Sequence, residues 1–368
     1  MPHPIRPIHD VEIFRYALPL REALTTQASK PENTMREGLL VVLRDGEDSV
    51  GIGEIAPLPG LHRESLTEVE AQTVSKLALI RHESTDAEAM LSSELFPSVR
   101  CGLEMALINL RARQNGTMPS QSPRANGMPS HLPLNALIAG DSTTIVHRAE
   151  KAVREGYTTL KIKVGRSSLE EDIANVRACR EAVGSDIALR LDANRSWSLE
   201  TALRLGEALH DYNIAYIEEP LKDWRGIPAF HEQTGISVAL DEMLTSPDAS
   251  ERAARSSIPS EFLAGYVLKP SAIGSIMAAS NLASEAEARG LDAVVSSVFE
   301  TGVALGFYAA LAVSWNGGRS VACGLDTYKF LAADVLEQPF SAAQGFVSLP
   351  NVWNQSAFLR TDFLKKVC

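Results

Sequence analysis

Short apolar runs recur through the second half of the chain, and five of them close on a charged residue. LKIK ends at Lys163, LRLD at Asp192, AYIE at Glu218, VALD at Asp241 and YVLK at Lys269. Uninterrupted apolar runs of this length predict strands buried on both faces, so each terminal charge is expected at the rim of a buried sheet. Helical spacing of apolar residues fills the intervals near 142–155, 169–182 and 199–210. With LPLNALI (132–138) before these runs, and DAVVSS and VACGL after them, eight strands are predicted. Their charged ends lie about 23 to 31 residues apart, the interval of β/α units that close into a parallel barrel. A doubly wound open sheet shares the alternation but usually carries a glycine-rich phosphate loop.

The first part of the chain has another rhythm. VEIFRYALPL, GLLVVLRDG and SVGIGEI predict strands between Val11 and Glu54, with a hairpin turn at Asp45-Gly46. Helical periodicity follows over 64–81 and 99–113, so this region is expected to be α+β. A stretch rich in Pro, Ser, Gly and Asn at 114–131 marks a linker or surface loop. Gly51-Ile-Gly53-Glu-Ile-Ala56 matches GxGxxA, but Pro57 and Pro59 prevent the helix that would receive a pyrophosphate. GxxxxGKS/T, GxSxG and HExxH motifs are absent.

Composition narrows the partner. The 46 acidic and 35 basic residues leave a net charge of -11, which disfavours general binding to nucleic acid or anionic membrane and points to a small ligand. Cys101, Cys179, Cys323 and Cys368 form neither a disulfide framework nor a zinc-ligand spacing, as suits a reducing compartment. Neither a signal-peptide core nor a membrane-length apolar stretch is present, and the expected location is the cytoplasm.

Side chains alternate along a strand, so Lys161 and Lys163 point to one side with Ile162 opposite. Facing the barrel interior, the two ammonium groups would repel, and one could be left as a neutral amine able to act as a base. On an edge strand the same pair would be ordinary surface lysines. Asp192, Glu218 and Asp241 end three consecutive strands and would repel each other unless a cation joined them. All-oxygen ligands select a hard ion, Mg2+ before Mn2+. A lone strand-end acid is usually a helix cap or a salt-bridge partner, a role Asp192 or Asp241 could separately fill, but three in register facing lysines make that reading much weaker. Asn194 shares the side of Asp192 and could bind a ligand or a metal-bound carboxylate, while Glu219 and Glu242 point away and are expected to pair with lysines. Lys269 lies across the barrel, as a second cation or a salt-bridge partner. In SSVFETG, the residues Ser296, Ser297, Thr301 and Gly302 offer hydroxyl and N–H groups at a predicted helix start, suited to an anionic substituent or to ordinary capping.

KIK, DAN, IEEP, ALDE and VLKPS, in this order and spacing, resemble the muconate-lactonizing branch of the enolase superfamily, and GIGEIAPLPG resembles its capping segment. The resemblance implies an α/β fold: a modified TIM barrel, (β/α)7β, over 131–328, an α+β capping domain over 1–130, and a segment 329–368 returning to the cap. It implies Mg2+ on Asp192, Glu218 and Asp241, acid/base lysines Lys163 and Lys269, and a tuning Lys161. Its shared chemistry is proton abstraction next to a carboxylate, so a small carboxylate substrate is implied. Mandelate-racemase-type relatives place a histidine where this chain has Lys269. The chain lacks the DxD pair usual in dipeptide epimerases, and GLDT, SSVFETG and DANRSW look most like o-succinylbenzoate synthases, dehydratases of quinone synthesis. N-succinylamino acid racemase and dipeptide epimerase are the alternatives, with a non-catalytic anion-binding barrel as a third. The segments 18–36 and 56–62 correspond to loops that close over substrate, with Arg36 a candidate for a succinyl carboxylate.

Overall fold

Alternation in the first strands sends successive side chains to opposite faces of an antiparallel sheet, and both faces are buried: Leu39, Val41 and Leu43 pack in one apolar cluster, Leu40 and Val42 in another. In a computed structural model, which describes residues 6–21, 34–82, 94–119 and 129–368, the cap contains β1 (Ile8–Pro19), β2 (Met35–Asp45) and β3 (Val50–Ile55). Parts of the expected loop 18–36 and linker 114–131, at 22–33 and 120–128, lie outside the described residues. The β2–β3 turn forms at Asp45-Gly46, where Asp45 Oδ1 accepts the N–H groups of Glu47 and Ser49. The C-terminal strand Leu364–Lys366 pairs antiparallel with the outer side of β1.

Helices α1 (Leu66–His82) and α2 (Pro97–Gln114) complete the cap. The glycines of GIGEIAP serve the packing of α2 on β3. A Cβ at Gly51 would stand 2.2 Å from the carbonyl oxygen of Ala106, and one at Gly53 would stand 1.9 Å from that of Gly102. Backbone on both sides leaves no flexible group to yield, so Gly53→Ala is expected to destabilise the protein by about 3 kcal/mol. Denaturant unfolding would measure this, and a loss within about 0.5 kcal/mol would contradict the close approach.

The barrel strands are β4 (Ala136–Ile138), β5 (Thr159–Lys163), β6 (Ala188–Asp192), β7 (Ile214–Glu218), β8 (Val238–Leu240), β9 (Leu263–Leu268) and β10 (Asp292–Val295). All neighbours are parallel and their order in the sheet follows the chain. The predicted eighth strand, VACGL, makes single parallel bridges, Cys323 to Leu134 and Gly324 to Ser296, and so closes the ring without a ladder. The predicted strand 132–138 is divided. His131–Pro133 pairs antiparallel with Phe346–Ser348, and the barrel strand begins only at Ala136, beyond a proline that has no N–H to give a ladder.

Apolar residues of the outer strand faces pack against the surrounding helices. Within the barrel, Tyr216, Ala239, Val267, Val294 and Val321 fill the lower interior, so the charged strand ends rest on a packed floor. Among the described residues, no helix is long and apolar enough to cross a membrane. All four cysteines are free thiols.

Candidate active site

Strand register brings the expected groups together. Lys163 is level with Asp192, and Asp192 with Glu218, across β5, β6 and β7. Ile162 is buried on the opposite face, so both lysines enter the barrel. Asp192 Oδ2 lies 2.8 Å from Lys161 Nζ and 2.5 Å from Lys163 Nζ. The bare repulsion expected between two ammonium groups is therefore replaced by a shared carboxylate oxygen. Burial works to lower the Lys161 ammonium, but Asp192 and Glu218 outweigh it and hold the pKa well above its usual value. Lys161 is thus a fixed cation. Lys163 Nζ also donates to Asn194 Oδ1 at 3.0 Å, while Asn194 Nδ2 donates to Glu242 Oε1 at 2.9 Å. Asn194 therefore orients the lysine as well as lying beside the acids.

Asp192, Glu218 and Asp241 are all at most 1% exposed. Glu218 Oε1 accepts from Lys161 at 2.8 Å, whereas Oε2, 2.7 Å from the same nitrogen, is out of line for a hydrogen bond and makes none. Burial, followed by the neighbouring Asp192 charge, pushes the Glu218 carboxyl up to about 8. Lys269 contacts Asp241 directly. Although burial opposes its charge, Asp241 and Glu218 keep Lys269 an ammonium with a raised pKa. Burial also raises the Asp241 carboxyl, but its direct contact with an ammonium favours the ionised pair.

Among the described residues, no three acidic, His or Cys side chains converge on one point. Lys161 lies between Asp192 and Glu218, and Lys269 holds Asp241. The donor set nevertheless fits a hard divalent cation. It is oxygen-only, buried and drawn from successive strands, and it includes a Glu218 oxygen without a hydrogen bond.

Other expected partners are corrected by the structure. Glu219 pairs with Arg195 rather than a lysine, at 2.9 Å, and accepts the N–H groups of Asp241 and Met243. Glu242 hydrogen-bonds Asn194. Arg36 is unavailable to a succinyl carboxylate: it is 3% exposed and donates to five backbone carbonyls, of Glu37, Ala56, Pro57, Val298 and Phe299. The helix α3 (Gly302–Trp315) does begin at SSVFETG, but its N-terminus is already filled. Thr301 N and Oγ1 donate to Glu54, and Gly302 N donates to Asp334 Oδ1. Thr301 and Gly302 therefore have no donor left for a substrate anion. Ser296 and Ser297 follow β10 at the barrel rim. Ser297 Oγ is engaged with Thr327 at 2.7 Å, and Ser296 Oγ makes only a long 3.4 Å bond to the Gly324 carbonyl.

Two regions of the chain match described families, residues 144–352 the "Enolase C-terminal domain-like" family and residues 8–110 the "MenC, N-terminal domain" family. The chain belongs to the enolase superfamily. Within it the chain is a MenC-like member of the mandelate-racemase/muconate-lactonizing subgroup, and is an enzyme of that superfamily. The o-succinylbenzoate synthase of Haemophilus influenzae is 32% identical, covering 88% of this chain and 91% of the relative. The chloroplastic protein PHYLLO of Arabidopsis thaliana is 30% identical over 93% of this chain, which spans only 22% of PHYLLO's length. A substrate-liganded L-Ala-D/L-Glu epimerase from Bacillus subtilis superposes with a TM-score of 0.81 at 26% identity, covering 94% of this chain and 96% of that one. Members of the superfamily use a divalent metal, typically Mg2+.

For this superfamily member, two features of the site escaped the strand-end pattern. Arg190 donates to the Ala322 carbonyl at 2.7 Å and lies over the Tyr216 ring. Its position two residues before Asp192, on the same strand face, is the signal that could have revealed it. Glu54 reaches from the cap to the start of α3 and carries no local signal. Burial pushes its carboxyl from an ordinary 4.5 up to about 7; the Tyr16 hydroxyl opposes the shift and the Glu300 charge adds to it. Between about pH 4.5 and 7 the fold retains a proton that the unfolded chain releases. The contribution of Glu54 to stability should therefore fall by about 3 kcal/mol as pH rises through that window. Unfolding free energies of the wild type and Glu54→Gln should shift in favour of the variant between pH 5 and 8; a pH-independent difference would contradict this.

Proposed function

We propose that the protein is an o-succinylbenzoate synthase, dehydrating 2-succinyl-6-hydroxy-2,4-cyclohexadiene-1-carboxylate to 2-succinylbenzoate. The observation that carries this reading over its relatives is the state of Asp326 in GLDT. This buried carboxylate accepts from the Tyr157 hydroxyl at 2.5 Å and lies 3.3 Å from Lys329 Nζ, so it is not offered to a substrate ammonium as a dipeptide epimerase would require. The similarity to the Haemophilus synthase over most of both chains supports the same choice.

In this reading Lys163 is the general base that takes the ring proton next to the substrate carboxylate. The C–H electrons pass into an enediolate. The hydroxyl then leaves with the proton returned by the Lys163 ammonium, on the same face, and water and the aromatic ring result. A divalent cation held by Asp192, Glu218 and Asp241 would supply charge neutralisation at the substrate carboxylate. Lys161 and Lys269 add fixed positive charge from two sides, and Asn194 aims Lys163. Water-excluding closure is the task assigned to the cap, and a quinone pathway in the cytoplasm belongs to the same proposal.

A second reading has its own support. Lys163 and Lys269 stand on strands β5 and at the end of β9, opposite in the ring, as proton removal from one face and return to the other demands. Racemisation of N-succinylamino acids would use this pair. Dehydration and α-deuterium entry into N-succinyl amino acids should be compared on one preparation. The proposal expects dehydration to have the greater kcat/KM by at least about 100-fold; faster deuterium entry would establish the racemase.

A further inference from the structure

We propose that Arg36 and Glu54 are positioning residues through which the cap sets the substrate-facing loop 296–301. They grip the same short segment by opposite ends of its backbone dipoles. The Arg36 guanidinium donates to the carbonyls of Val298 and Phe299, and on its cap side to those of Ala56 and Pro57. The Glu54 carboxylate receives Thr301 N at 2.9 Å, Thr301 Oγ1 at 2.7 Å and Ala304 N at 3.3 Å, with the cap's own Tyr16 hydroxyl at 2.6 Å. A guanidinium thus collects carbonyl oxygens and a carboxyl group collects N–H and O–H donors, a few residues apart.

Between the two grips Phe299 adopts φ +64°, in the left-handed region that a bulky aromatic residue rarely occupies. Such a conformation persists only where the surroundings over-determine it, and here both grips come from the other domain. Its ring packs edge-on against Phe330, at 5.3 Å between centroids, beside Leu58 of the cap and Val298. The loop begins directly after β10, where Ser296 N donates to the Leu268 carbonyl, one residue before Lys269. Displacing it would move Ser296 and Ser297 relative to that lysine while leaving Lys163 and its acids in place.

Arg36→Lys keeps the charge but replaces a planar five-donor fork by one ammonium, which cannot serve five carbonyls. The expected result is a KM raised about tenfold or more, a kcat within about threefold, an unchanged Mn2+ dissociation constant, and faster amide exchange over 297–301. The kinetic arm rests on the dehydratase reading, whereas the exchange arm does not, so their failures are distinguishable. Because both residues act on one loop, the KM effects in Arg36→Lys/Glu54→Gln should be non-additive. A folded Arg36→Lys protein with unchanged loop exchange, or with kcat falling while KM holds, would overturn the proposal, as would strictly additive effects. Should Arg36→Lys fail to fold, the wild type still decides. Amides of Thr301 and Ala304 should exchange as slowly as the centre of α3, and exchange at the rate of an open loop would overturn the assignment.

Discussion

Lys163→Ala is expected to lower kcat about 10^2- to 10^4-fold, the scale on which a positioned general base contributes. The fold should survive, since Asp192 keeps Lys161 at 2.8 Å and Lys163 stands at the open end of its strand. The loss should lie in kcat rather than KM, because Lys161 and Lys269 still supply positive charge to the substrate. Arginine should not rescue it, being protonated at every accessible pH. Rapid-quench turnover with the cyclohexadiene substrate provides the measurement. A variant within tenfold of wild type would remove Lys163 from the chemistry while leaving the fold assignment intact.

Glu218→Gln is expected to produce opposite effects on stability and function. Burial, followed by the neighbouring Asp192 charge, disfavours ionisation of this carboxyl in the metal-free protein, so the uncharged amide should leave that form at least as stable as the wild type. Lys161 retains an amide oxygen as acceptor. Divalent binding, in contrast, should weaken by about 100-fold or more, and the metal-induced rise in Tm should largely disappear. Turnover at saturating Mg2+ should fall about 10^3-fold. Calorimetric titration with Mn2+ and thermal unfolding with and without metal check both signs. Wild-type metal affinity in this variant would exclude Glu218 as a ligand.

Much of the site was legible because strand geometry converts a one-dimensional pattern into a place. A charge ending an apolar run must sit at the rim, and alternation puts Lys161 and Lys163 on one side; both statements need only local geometry. Lys269 and Asp241, each just beyond its strand, follow from the same rule. The electrostatic environment was less accessible. Reading the lysines as a repelling pair omitted Asp192, whose position between them depends on register with a neighbouring strand 29 residues later. Hardest to see was the domain contact. SSVFETG has the composition of an anion site, and the helix it predicts does start there. What fills that helix start is Glu54, 247 residues away in sequence, and a buried Arg36 donates to the Val298 and Phe299 carbonyls beside it. No local pattern reports so distant a partner. The glycines of GIGEIAP were likewise visible as unusual, but their reason is the backbone of α2, half a hundred residues on.

The central claim is that the carboxylate and lysine cluster removes a proton next to a substrate carboxylate and so drives dehydration with a divalent ion. Its most direct test is the loss of cyclohexadiene absorbance on adding the purified protein to 2-succinyl-6-hydroxy-2,4-cyclohexadiene-1-carboxylate, with Mg2+ and with excess chelator. The account predicts rapid loss with Mg2+, appearance of 2-succinylbenzoate, and near-complete suppression by chelator that is reversed when Mg2+ is restored. Chelator-resistant turnover, or no turnover of this substrate by metal-loaded protein, would contradict it.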